Sequence, residues 1–242
     1  MEGKMNYNEL CDELKLCHGF LSIERINMKE TPSYSATGCS LSLLKKAFEG
    51  ETLHLSRGNM ACPGAATGMG FADGLPPIPG GFGFFISSGR GEGFPPGERV
   101  KCSPDVGERM LLQQPQGVLG EFDCICVKPY EQGAGKDIMT TLVTPDQLSA
   151  LIHIFCYRKS GFDNVIAPMS SGCASVFRIP FGELRRDEPR AVIGNIDVFS
   201  RPHFAADTVF FTVSGKDFDN MLADAGESVL AAHIWKGVKS RL

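Results

Sequence analysis

Three cysteines stand in small-residue, turn-like settings: Cys39 in Ala-Thr-Gly-Cys-Ser, Cys62 in Met-Ala-Cys-Pro-Gly-Ala-Ala and Cys173 in Ser-Ser-Gly-Cys-Ala-Ser. Cysteine usually behaves as a small buried hydrophobe. Here few bulky neighbours hide the sulfur, and glycine lets backbone N–H groups come close to it. Such a setting suits a thiolate acting as metal ligand, cluster ligand or nucleophile, and the residues leave these three open. Cys102, in Val-Lys-Cys-Ser-Pro, is a fourth candidate ligand, although packing under the helix that follows competes with that role. The four are separated by 23, 40 and 71 residues. None of these spacings is the close Cys-x2-Cys pair that marks zinc and iron–sulfur sites, so only the fold can gather them. Four thiolates would suit zinc or a [4Fe–4S] cluster, and three a cluster with one open iron. Small thiols buried in tight turns are the competing explanation.

A nucleophilic Cys62 or Cys173 would need a base, for which His54 and His203 are the candidates. Neither histidine is tied to a cysteine by local spacing. Asn195 and Asp197 are two apart and can share a strand face, with Arg201 following in Ser-Arg-Pro. They form either a structural clamp or a grip on a carboxylate or phosphate. Arg57, near the Cys62 turn, adds positive charge that would favour a thiolate or an anionic ligand. The run Gly64-Ala-Ala-Thr-Gly68-Met-Gly70 lacks the order of a phosphate-binding loop. Cys124-x-Cys126 would point both sulfurs the same way from a strand, but its apolar neighbours assign it to the core. Cys11, Cys17 and Cys156 are assigned to the core as well.

The 242 residues carry a net charge of −4, and 43% are apolar. A sizeable core follows, in one domain over 1–242 or in two subdomains with a seam in the segment 58–98. That segment holds twelve glycines and six prolines. No basic run is present, so nucleic acid is not an expected partner. No stretch is long and apolar enough for a transmembrane helix, and the polar start lacks the apolar core of a signal peptide. A cytoplasmic location is the default expectation, and there nine cysteines are not expected to pair as structural disulfides. Oligomeric state is not legible.

The elements that must position these residues read as follows. Helices are expected at 6–17, 40–49, 104–112, 144–158, 217–225 and 228–239, with a short one from Gly64 to Phe71. Thr144-Pro145-Asp146-Gln147 is the clearest start, with a cap, a proline at the first helical position and a capping-box glutamine. Strands are expected at 20–26, 52–55, 82–86, 118–127, 138–143, 164–167, 174–179, 191–195 and 208–213. Interleaved strands and helices indicate an α+β or α/β fold. Valine and isoleucine do not dominate the strands, which argues for a mixed sheet with flanking helices.

Cys39, the Cys62-Pro-Gly turn, Thr-Pro-Asp-Gln-Leu at 144–148, Gly172-Cys173-Ala174 and Gly194-Asn195-Ile196-Asp197 followed by Arg201 together resemble the uncharacterised DUF169 family, a cysteine-rich archaeal-type group. The resemblance covers most of the chain and brings no established activity. It favours a redox or cluster role over hydrolysis. The expectation is a cysteine-centred metal or iron–sulfur redox or carrier protein with a small anionic molecule or a redox partner. A metal-free domain for a small anionic ligand and a thiol-dependent enzyme are the alternatives.

Overall fold

A computed structural model describes residues 4–28, 38–60, 62–74, 78, 80–87 and 97–242. The strands among these residues are β1 Leu21–Ile26, β2 Leu53–Ser56, β3 Cys124–Pro129, β4 Ile138–Val143, β5 Val165–Ile166, β6 Ala191–Gly194 and β7 Val209–Ser214. They form one seven-stranded sheet in the order β2-β3-β1-β4-β7-β6-β5. Only β5 and β6 pair in parallel; the other pairings are antiparallel. The helices are α1 Tyr7–Leu14, α2 Leu44–Phe48, α3 Pro63–Met69, α4 Phe82–Ile86, α5 Pro104–Leu111, α6 Pro145–Cys156, α7 Ile179–Glu183, α8 Gly215–Asp224 and α9 Trp235–Lys239. The fold is mixed α+β, with helices flanking the sheet. No described helix is long and apolar enough to cross a membrane.

Strand alternation sorts the interior into two layers. On β4 and β7, Met139, Val143, Phe211 and Val213 point to one face, where they meet Leu10 and Leu14 of α1, Leu151 and Ile154 of α6, Phe218 of α8 and Trp235 of α9. Ile138 and Phe210 point to the other face and meet Leu44 of α2, Met69 of α3, Phe181 of α7, and Leu41 and Val176. Between these apolar groups the Thr140 and Thr212 hydroxyls, which face each other across β4 and β7, hydrogen-bond at 2.8 Å. Local signals act as read at α6, where the Thr144 N–H donates to Gln147 Oε1 at 2.8 Å and the reciprocal cap is present. A cap of this kind is worth about 1 kcal/mol.

Three expectations are corrected. Residues 82–86 form helix α4, not a strand. A five-residue apolar run suits either period, and glycine contact with α5 decides it. A Cβ on Gly83 would lie 2.4 Å from the Pro104 carbonyl oxygen, and one on Gly107 2.9 Å from the Gly83 Cα. Residues 174–178 form a wide π-helical turn leading into α7, not a strand. All five are buried, Ser175 and Arg178 included, so no exposed side betrays the helical period. The C-terminal segment is interrupted: Val229–Ala231 is a 3-10 turn, Ala232 is extended, and α9 begins at Trp235. In addition β3 begins only at Cys124, because residues 118–122 form turns closed by Gly120 N–H to the Gly117 carbonyl and Phe122 N–H to the Leu119 carbonyl.

Candidate three-cysteine site

The site lies where β6 ends, on the sheet face covered by α2, α3 and α7. After Gly194, Asn195 takes a left-handed conformation with φ 61°, which asparagine tolerates better than most residues. Its N–H donates to Ser175 Oγ at 3.1 Å, and its Oδ1 accepts from Ser200 Oγ at 2.7 Å. Asp197 Oδ2 accepts from the Gly172 N–H at 3.2 Å. Ser175 Oγ donates in turn to the Gly172 carbonyl at 2.8 Å. These bonds sew the 195–200 loop to the helical start that carries Cys173.

Two glycines then let other segments close on that cysteine. A Cβ on Gly68 would stand 2.9 Å from Cys173 Cβ, so only glycine admits α3 this close. A Cβ on Gly172 would lie 2.5 Å from Ser200 Oγ and 2.7 Å from Leu41 Cδ2. Each of the three cysteines heads a helical segment. Cys39 precedes the 3-10 turn Ser40–Leu43, its carbonyl accepting from the Ser42 N–H at 3.0 Å. Cys62 precedes α3, its carbonyl accepting from the Ala65 N–H at 3.0 Å. Cys173 lies at the N-terminal boundary of the π-turn.

Cys39 and Cys62 thus reach Cys173 across more than a hundred residues of sequence. Burial pushes the Cys173 thiol up from its ordinary value; Cys39, Cys62 and Asp197 push it the same way, and the Leu41 N–H opposes them. The residue keeps some exposed surface while its sulfur is desolvated. Such a thiol is protonated at neutral pH, the reverse of what an activated nucleophile needs. Glu98 joins the same neighbourhood, its carboxyl raised by burial and then by Asp197. Sequence reasoning missed it, because a glutamate in a Gly/Pro-rich stretch carries no local signal.

Arg178 holds the assembly together. Its side chain is fully buried. Nε donates to the Pro115 carbonyl at 2.6 Å, and Nη1 to the Thr67 and Ala72 carbonyls at 2.8 Å each. Nη2 donates to Asp73 Oδ1 at 2.9 Å and Gln116 Oε1 at 3.0 Å. The guanidinium therefore ties the end of α3 and the residues after it to the segment that begins with Cys173.

The other sequence candidates sit elsewhere or do other work. Cys102 is exposed ahead of α5. Arg57 is exposed in the 3-10 turn after β2. The Arg201 guanidinium donates to the Thr208 and Ala206 carbonyls and so closes its own loop. His203 follows in that loop, its N–H donating to the Ser200 carbonyl at 3.1 Å. His54 stands opposite Cys126 across β2 and β3. Leu53 and Leu55 point toward the three-cysteine layer, so alternation turns His54 to the opposite face.

Among the described residues no group of three His, Cys, Asp or Glu side chains closes on one point as a single metal ion requires. The donor chemistry fits a thiophilic centre all the same. Ser40 Oγ and Asn195 Nδ2, on the segments that carry or border the cysteines, are buried without a hydrogen-bond partner. Native interiors rarely leave such groups unmatched. A cleft of about 510 Å³ between α6, α8 and residues 184–189 contains none of the cysteines. Charges in and beside it are matched in the pairs Lys136–Asp219, Lys159–Asp217 and Arg158–Asp224, so it offers less chemistry than the cysteine site.

No curated protein and no solved structure matches the chain. Residues 12–224 match the family model of DUF169, whose description is "uncharacterised ArCR". Because that match runs through nearly the whole sequence, from α1 to α8 and across all three site cysteines, this chain belongs to the DUF169 family.

Proposed function

We propose that Cys39, Cys62 and Cys173 anchor an iron–sulfur cluster and that the protein is a redox or carrier protein of a reducing, cytoplasmic compartment. The observation that carries this is the convergence of the three cysteines on one face of the sheet beside the end of β6, each at the head of a different helical segment. Thiolates on one ion each stand about 2.3 Å from a common centre, a closure that the described groups do not make. Thiolates on a cluster each hold a separate iron and stand farther apart.

A bound cluster would supply one-electron chemistry, and three protein ligands leave one iron open for a small anionic molecule or a redox partner. The chain itself supplies the rest. The Leu41 N–H faces the Cys173 sulfur and favours its thiolate. Ser40 Oγ and Asn195 Nδ2 are free to donate toward sulfur, and hydrogen bonds of that kind set cluster potential. Gly68 and Gly172 keep the three segments close enough to share one centre. The same two unpartnered groups also support a second reading, a metal-free pocket for a small anionic ligand with Asn195 and Asp197 as polar contacts. Exposed Arg57 would lend that ligand positive charge.

The test is anaerobic reconstitution with iron and sulfide, followed by visible spectra of single variants. Cys39→Ala, Cys62→Ala and Cys173→Ala should each lose the charge-transfer absorbance, while Cys102→Ala keeps it. Equal spectra for all four, or no absorbance in any, contradict the proposal. Ligand binding that survives all three site substitutions favours the metal-free pocket.

A further inference from the structure

A second set of sulfurs lies across the sheet, on β3 and just past the end of β1. Cys124 and Cys126 are two apart on β3 and project from the same face. They are buried, with exposures of 1% and 7%, yet neither belongs to either apolar core cluster. Their cross-strand neighbours explain why. Cys126 stands between Glu24 on β1 and His54 on β2, and Cys124 between Ile26 and Ser56. Three of these four neighbours are polar, and Ser56 Oγ is buried without a hydrogen-bond partner. A third sulfur lies against Cys124: its Sγ donates to Met28 Sδ at 3.3 Å. The chain is held there by the Met28 N–H, which donates to Asp123 Oδ1 at 3.0 Å.

We infer that Cys124, Cys126 and Met28 form a binding site for a monovalent soft cation of the Cu(I) class, separate from the three-cysteine site. Two thiolates and a thioether are the donors that select Cu(I) over zinc, magnesium or calcium. Alternation puts the two thiols on one face of β3, and the contact of Met28 with Cys124 brings a third soft donor to it. A zinc site would need a fourth hard or borderline ligand closing on the same point, and the described groups offer none. Loading is balanced: Cu(I) enters, the Cys124 and Cys126 S–H protons leave to solvent, two Cu–thiolate bonds and one Cu–thioether bond to Met28 form, and the metal keeps its oxidation state. The site rests on none of the residues assigned to the iron–sulfur cluster, so the two assignments stand or fall separately.

The test is an anaerobic titration of full-length protein with Cu(I), in competition with the chelator bicinchoninate. One equivalent should bind tightly, both in the native protein and in the combined Cys39→Ala, Cys62→Ala, Cys173→Ala variant. Cys124→Ser with Cys126→Ser should weaken binding by more than the roughly 10- to 100-fold that loss of an outer partner costs. Met28→Leu conserves volume and should weaken binding by about 10-fold with an unchanged unfolding midpoint. If the double serine variant does not fold, Met28→Leu and copper-edge X-ray absorption of the native complex decide, and only sulfur neighbours around copper agree with the assignment. Nitrogen and oxygen neighbours, affinity insensitive to both the Cys124/Cys126 and the Met28 substitutions, or copper lost with the three-cysteine variant would each overturn it.

Discussion

Replacing Arg178 with methionine is the sharpest test of how the three-cysteine site is held. The side chain has no exposed surface and donates five hydrogen bonds, to three backbone carbonyls, Gln116 Oε1 and Asp73. At about 1.5–3 kcal/mol for each bond to a charged group, their sum would equal the whole stability of a typical domain. That sum is too large, because removing the guanidinium also removes the penalty for burying it. Burial already pulls its pKa down, against the raising effect of Asp73. Asp73 is 54% exposed and regains water cheaply. What remains is a set of buried acceptors around Pro115, Thr67 and Ala72 with no donor. Truncating one side of such a buried network costs about 3–5 kcal/mol, or roughly 2 M in the urea midpoint at a slope of about 2 kcal/mol/M. Arg178→Lys keeps the charge but cannot reach five acceptors and should fall between. Asp73→Asn should change stability by less than about 1 kcal/mol. Because Arg178 ties α3 to the Cys173 segment, Arg178→Lys should also bind less iron per folded chain. An Arg178→Met midpoint within about 1 kcal/mol of the native protein, with Asp73→Asn the costlier change, would refute the argument.

Gly68→Ala should push α3 off Cys173, cost about 1–3 kcal/mol by overpacking and lower iron loading; unchanged thermal unfolding and loading would contradict this. The Glu13 carboxyl accepts from Trp235 Nε1 at 2.8 Å and Lys239 Nζ at 2.7 Å. Desolvation pushes its pKa up, but these two partners outweigh it and hold it below the ordinary 4.5. Its contribution is therefore complete above 4.5 and lost as pH falls through the lowered value. It is worth no more than about 1 kcal/mol, since the pair remains partly solvated. Fluorescence of the single tryptophan should report an acid transition of α9 below pH 4.5 that Glu13→Gln abolishes, and a midpoint above 4.5 would contradict the sign. In the metal-free protein at pH 7, iodoacetamide should modify exposed Cys17 and Cys102 well before Cys173; fastest labelling of Cys173 in mapped peptides would instead revive a nucleophilic role.

Much of the architecture was legible where local chemistry and tertiary packing agree. Thr144-Pro145-Asp146-Gln147 starts α6, and Ile138–Val143 is β4 with the bounds expected from the sequence. The mixed sheet follows from strands too poor in valine and isoleucine to be buried on both faces in parallel. Segments 82–86 and 174–178 misled because five residues are too few for their period to be read. The small-residue settings of Cys39, Cys62 and Cys173 carried a physical signal, since Gly68 and Gly172 are the glycines that admit close contact. Arg178 offered one that passed unread: an arginine inside Val-Phe-Arg-Ile-Pro-Phe must find partners if that run is buried. Other features had no local trace. The neighbours of Cys126 come from strands about 70 and 100 residues away, so only the register shows Glu24 and His54 beside it. Face assignment likewise depends on the sheet, which is why His54 could be considered for Cys62 or Cys173 from sequence and is carried to the opposite side by β2.

The most direct measurement of the central assignment is elemental analysis of the native protein purified without oxygen, with iron, zinc and acid-labile sulfide determined per chain. The iron–sulfur assignment predicts several irons with matching sulfide, lost together when Cys39, Cys62 and Cys173 are replaced. One zinc without sulfide, or iron retained by that triple variant, would contradict it.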